Sequence, residues 1–172
     1  SRTLLYFANF YGSDTTPVAC SLGASGQLGC FNMNINQNTY APRGIAVNSS
    51  NTYAYVASFQ TYAILLCNLT TSGDSNGCSY MSNLGVFNDG VSSIVLNPAG
   101  NYAYVLHGMS VTVAAVSPVT GNLGAGVDSG LPTTGTPTPY TLTFNSSGTY
   151  VYITDNQHPL VIQCAVNAST GT

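Results

Sequence analysis

Few side chains in this 172-residue chain could move a proton, hold a metal or attack a bond. There are two His, five Asp, five Cys and two Arg, and neither Glu nor Lys occurs. Catalysis needs a titratable group near its working pH, a nucleophile or a metal. Asp155 and His158 stand three apart, close enough for an acid to orient an imidazole; the competing reading is an Asx turn ahead of Pro159. The stretch Gly121-Asn-Leu-Gly124-Ala-Gly126 has closely spaced glycines, but no helix start follows it to hold an anion. No His or Cys cluster has zinc spacing, so neither a metal nor a cofactor is expected.

The elements that must position these residues announce themselves as a repeat. One pattern occurs four times: Leu5-Tyr6-Phe7-Ala8-Asn9, Ala54-Tyr55-Val56-Ala57-Ser58, Ala103-Tyr104-Val105-Leu106-His107 and Val151-Tyr152-Ile153-Thr154-Asp155. Its tyrosines are 49, 49 and 48 residues apart. Ahead of the last three copies lies a matched turn, with Asn51, Gly100 or Gly148 at the position needing positive φ. Short apolar runs at 44–47, 93–96 and 141–144 precede the turns and read as strands. A third run follows each tyrosine strand, at 17–22, 63–69, 111–116 and 160–166, and a weaker fourth at 28–32, 78–82 and 123–127. One unit is therefore four antiparallel strands in about 49 residues, the size of a propeller blade.

At these residues the chain resembles the YVTN-repeat β-propellers, named for Tyr-Val-Thr-Asn on such a strand. The matching stretches are Tyr6-Phe7-Ala8-Asn9, Tyr55-Val56-Ala57-Ser58, Tyr104-Val105-Leu106-His107 and Tyr152-Ile153-Thr154-Asp155. None is a perfect copy. The resemblance implies an all-β propeller similar to lactonase-type propellers, usually of about seven blades, in a family known mostly from secreted or surface proteins. It also implies an acidic metal ligand that, without Glu, has no counterpart here except Asp.

The units run over approximately 2–40 (three strands), 41–88 and 89–136 (four each) and 137–172 (three), within one domain, 1–172. About three and a half blades leave apolar faces and strand edges to be covered. The candidates are a compact four-bladed closure, a fragment of a longer propeller, or a subunit completed by other copies. The Pro- and Thr-rich stretch 131–139 reads as a connector, with O-glycosylation as the alternative. There is no initiator Met or leader-like segment, so the chain is read as processed or as a piece.

Cys20 and Cys30, and Cys67 and Cys78, fall on equivalent neighbouring strands, and each pair should form a disulfide across a hairpin. That points to an oxidising, extracellular or cell-surface location. Cys164 lacks such a partner: the protein continues, or this thiol pairs with another chain, or it stays free. The sequons at Asn48, Asn68, Asn145 and Asn167 could carry glycan, or could simply start turns.

Charge excludes further classes. Charged residues make up 4% of the chain, against roughly 25% in an ordinary domain. Instead 19 Ser, 20 Thr and 17 Asn must cover the surface. With a net charge of −3 and two Arg there is no basis for binding nucleic acid or anionic lipid. Apolar runs fall far short of the roughly 20 residues of a membrane-spanning helix, so no membrane insertion is expected.

The residue three after each motif tyrosine, Asn9, Ser58, His107 or Asp155, is always polar, and the four should lie at one height near a rim. They are candidate ligand-binding residues, the alternative being that each satisfies loop backbone groups. Taken together, the sequence leads to the expectation of a non-enzymatic extracellular propeller, structural or adhesive, self-assembling through blade edges with other copies of itself. The alternative is part of a longer secreted propeller that binds glycan or a surface protein. A lactonase-type hydrolase is the remote alternative.

Overall fold

The structure is a computed structural model that describes residues 3–10, 16–35, 41–81, 84, 87, 89–131 and 138–172. The unit bounds near 36–40 and most of the expected connector, 132–137, lie outside the described residues. Fourteen strands form four antiparallel sheets, and no helix occurs among the described residues. The first sheet runs β1 (Thr3–Phe7), β2 (Val18–Leu22), β3 (Leu28–Asn32). The second runs β4 (Pro42–Val47), β5 (Tyr53–Ser58), β6 (Ala63–Leu69), β7 (Ser75–Tyr80). The third is β8 (Val91–Leu96), β9 (Tyr102–His107), β10 (Ser110–Ala115), β11 (Val127–Asp128), and the fourth β12 (Pro139–Phe144), β13 (Tyr150–Asp155), β14 (Val161–Ala165). This is the all-β, propeller-type architecture expected.

The hairpins into β5, β9 and β13 are built alike. The Asn48 side chain accepts the backbone N–H of Thr52 and Tyr53, and Asn97 and Asn145 do the same for their own turns. Asn51, Gly100 and Gly148 hold φ of 54°, 71° and 70° there. Two of the four sequon asparagines, Asn48 and Asn145, thus serve as turn acceptors. Asn167 plays a similar part for Ser169, while Asn68 is exposed on β6.

Three hydrophobic layers lie between successive sheets. Ala54, Val56 and Leu65 face Ala19 of the first sheet, Tyr55 and Ala57 face Ala103 and Val105, and Tyr104 and Leu106 face Val151 and Ile153. Burial on both faces explains why β5 and β9 are apolar at nearly every position rather than at alternate ones. β4 lies beside β8 and β8 beside β12, so these strands face a common axis.

Tyrosine hydroxyls tie the layers together. Tyr53 and Tyr55 donate to the carbonyls of Val119 and Gly121 in the next sheet's turn, at 2.8 and 2.7 Å. Tyr102 donates to Ser169 at 2.9 Å and Tyr104 donates to Gly171.

Disulfides join Cys20 to Cys30 and Cys67 to Cys78 at directly paired positions of β2–β3 and β6–β7. Cys164 is a half-buried free thiol on β14 whose pKa burial pushes up. Two outer strands differ from expectation. β7 starts earlier than 78, and the strand expected at 123–127 contracts to β11 plus one bridge between Val116 and Leu123. Gly126 explains the second: a Cβ there would sit 2.5 Å from the Thr112 side chain, so the chain passes too close to β10 for ordinary side chains.

Candidate functional site

The pairing register skips one residue at the same place in β4, β8 and β12. Pro42 pairs with Ser58 and Gly44 with Ala57, passing over Arg43; Ser92 and Tyr140 are passed over likewise. A bulge of this kind re-aims the side chain it carries. The three bulged residues line adjoining cavities at one end of the inner strands. One, of about 570 Å³, has Arg43, Met109, Tyr140, Gln157 and His158 in its wall. The other, of about 250 Å³, shares Arg43 and adds Phe59, Asp89 and Ser92.

Arg43 sets the electrostatics. Its guanidinium carbon lies 3.5 Å from the Phe59 ring centroid, 4.3 Å from that of Phe10 and 5.9 Å from that of Tyr140. Aromatic faces hold a cation without neutralising it. Its Nε is buried with no hydrogen-bond partner, and among the described residues no carboxylate pairs with it. Phe59 lies close against the backbone because residue 90 is glycine, where a Cβ would sit 2.3 Å from the ring. The result is a guanidinium beside an open cavity, its Nε without a partner among the described residues and the Asp89 carboxylate in the same wall.

On the same wall, Asp155 and His158 form a pair. Asp155 Oδ1 accepts the N–H groups of Gln157 and His158 and lies 3.1 Å from His158 Nδ1; Oδ2 accepts the N–H of Thr138. Burial of this carboxyl opposes its charge, but the hydrogen bonds from Gln157, Thr138 and His158 outweigh that and hold it well below the usual carboxylate range. An ionised carboxylate only accepts, so His158 Nδ1 is the donor, which in a neutral imidazole leaves the lone pair on Nε2. The Asp155 side chain is fully covered, whereas that of His158 is 47% exposed. The Asx-turn and imidazole-orienting readings of this pair therefore hold together.

Of the four rim candidates, Ser58, His107 and Asp155 end equivalent strands, and each is held by its own neighbours. Ser58 is fully buried and accepts the Thr61 hydroxyl. His107 meets the Thr112 hydroxyl at 2.8 Å and the Phe87 ring at 4.6 Å; burial lowers its pKa, against the opposing pull of Asp128 and Asp89. Asn9 lies half-buried just beyond β1. Asp155 borders the axial cavity through its bond to His158. Sequence reasoning missed Arg43. The available signal was its position at the head of an inner strand, matched by Tyr140 after Pro139. No group of three His, Cys or Asp suited to a metal occurs among the described residues.

No protein-family model matches the chain, and neither does any curated protein. Solved structures do. PpgL, the periplasmic gluconolactonase of Pseudomonas aeruginosa, matches over 98% of this chain and 52% of its own, with TM-score 0.73 and 19% identity. A Bacteroides uniformis protein provisionally named a 6-phosphogluconolactonase matches over 98% and 51%, with TM-score 0.74 and 16% identity. A Lactobacillus plantarum protein matches over 91% and 47%, with TM-score 0.70 and 17% identity. The chain spans about half the length of these structures, and the likeness is one of fold.

These matches correct two expectations, that the protein is a non-catalytic structural or adhesive assembly and that it is no enzyme. The scaffold is shared with proteins named as lactonases. The physical reason is that the fold brings Arg43 from β4 to the wall that holds His158, a proximity that spacing along the chain does not show. The two disulfides are the mark of an oxidising compartment. No helix of the described residues is long and apolar enough to cross a membrane.

Proposed function

We propose that this chain is a lactonase-type hydrolase built from YVTN-type repeats, secreted or held at a cell surface, that opens the cyclic esters of sugar acids in the axial cavity. The observation that carries the reading is an imidazole oriented by Asp155 on the wall that also holds Arg43, which no carboxylate of the described residues pairs. His158 Nε2 takes a proton from water as the water oxygen bonds to the ring carbonyl carbon. The tetrahedral intermediate collapses by breaking the ring C–O bond, and the imidazolium returns the proton to the leaving alkoxide. The product is a hydroxy acid whose carboxylate suits the Arg43 guanidinium. Asn156 and Gln157 in the same wall offer partners for sugar hydroxyls.

The test is acid release from glucono-1,5-lactone, followed with a pH indicator against the spontaneous reaction. His158→Gln should lower kcat about 10²- to 10⁴-fold with little change in KM. A native chain no faster than buffer, or a His158→Gln variant as active as the native chain, overturns the proposal.

A further inference from the structure

We infer that a second copy of this chain docks on the outer face of the fourth sheet through the tyrosine clasp that joins its own sheets. This rests on the fold and not on the hydrolase reading. Two such clasps are made within the chain, Tyr53 and Tyr55 on Val119 and Gly121, and Tyr102 and Tyr104 on Ser169 and Gly171. In each, two hydroxyls from alternate strand positions meet two carbonyls two residues apart. The accepting turns are alike: Gly121 and Gly171 hold φ of 70° and 79° and donate their N–H four residues back, to Ser117 and Asn167. A Cβ on either glycine would meet the ring of Tyr53 or Tyr102 at 2.6 or 2.7 Å.

One donor pair and one turn remain unused. β13 carries Tyr150 and Tyr152 at the equivalent positions, and no hydroxyl partner for them occurs among the described residues. The β2–β3 turn has Gly26 at φ 81° donating to Gly23, and nothing lies within 4 Å of a Cβ placed there. The apolar faces tell the same story. Leu5 and Phe7 are 39% and 47% exposed, whereas their counterparts Ala54 and Val56 are fully buried under the preceding sheet. Val161 is 59% exposed, and its counterpart Ile64 is fully buried under the following one.

The open face of the last sheet is thus the donor half of a contact whose acceptor half is the open face of the first. A second copy presents that half. The chain spans about half of the structures it matches, so two copies joined head to tail supply comparable length. Such a heterologous contact, made twice, closes as a ring of eight sheets, within the usual range of about 4–8 blades.

Light scattering on the full chain tests this. The expected mass is twice 17.8 kDa. Phe7→Asp and Tyr150→Asp lie on exposed faces at opposite ends, and each should give monomer with unchanged near-ultraviolet circular dichroism. Mixing the two variants should restore a pair, because one contact stays intact. Tyr152→Phe, which removes only a hydroxyl, should raise the dissociation constant roughly tenfold. A native chain that remains monomeric at about 100 μM overturns the proposal and gives the faces to another occupant, such as a further blade of a longer polypeptide. So does an Asp variant that pairs like the native chain.

Discussion

Two tyrosines at equivalent positions of neighbouring sheets should respond oppositely to loss of a hydroxyl. Tyr55 is fully buried and donates at 2.7 Å to the Gly121 carbonyl, so Tyr55→Phe strands that acceptor in the layer between the second and third sheets. The cost of a buried, newly unpaired polar group is about 1–3 kcal/mol. At about 2–4 °C per kcal/mol for a chain of this size, the melting temperature should fall by roughly 2–12 °C. Tyr6 sits on β1 in the same register, but its hydroxyl is buried with no hydrogen-bond partner. Tyr6→Phe removes a polar group whose burial is already uncompensated, and should leave stability unchanged or raise it by up to about 1 kcal/mol. Calorimetry or far-ultraviolet melts with the disulfides intact would measure both. Equal losses in the two variants, or a larger loss from Tyr6→Phe, would refute the idea that the hydroxyl bond, rather than ring packing, distinguishes these layers.

Three further outcomes follow from the same geometry. Burial, with a smaller contribution from the neighbouring Tyr53 or Tyr102, pushes Tyr55 and Tyr104 up to about 12 from the usual 10.0. Their stabilising contribution is therefore complete below pH 10 and is lost as pH rises through about 12; denaturant midpoints that stay flat across this window contradict that assignment. Each disulfide closes a short loop, of sequence separation 10 or 11, so Cys20→Ser with Cys30→Ser should cost about 3 kcal/mol by chain entropy, measured as a shift in urea midpoint at constant slope. Arg43→Lys keeps the charge but loses the flat group that lies on Phe59 and Phe10, and should raise KM for lactone several-fold; an unchanged KM would remove Arg43 from the site.

The strands were legible because the repeat reports them several times over. Three copies of Asn-x-x-(Gly/Asn)-x-Tyr fix a hairpin even where one alone would be ambiguous, and Cys20–Cys30 and Cys67–Cys78 mark the same two strands twice. Legibility faded where side chains carry little pattern. Gly124 and Gly126 break up the outer strand of the third sheet, and nothing in the sequence says that the Thr112 side chain lies in the way. The cavity was harder still. A lone Arg at the head of a strand resembles any solvated cation, and its aromatic neighbours Phe10, Phe59 and Tyr140 come from three other segments. The bulges that turn Arg43, Ser92 and Tyr140 toward one place are shifts of pairing register, which only the paired strands reveal. Asp155 and His158 were visible as a pair, but their significance depends on what shares the wall with them.

The scarcity of cations has a practical consequence for studying the axial strand. Trypsin cleaves after Lys or Arg, and apart from Arg2 at the amino terminus the sequence offers it one bond, Arg43–Gly44. That bond lies in β4, with Gly44 so close to the next inner strand that a Cβ would be 3.0 Å from Ser93 and Ile94 backbone atoms. The protease can reach it only when β4 leaves β8, so the rate of nicking follows the population of that opened form. A compound that settles on Arg43 would slow the cut in proportion to its occupancy. Binding at the cavity could then be followed by limited digestion alone, whether or not the compound is turned over.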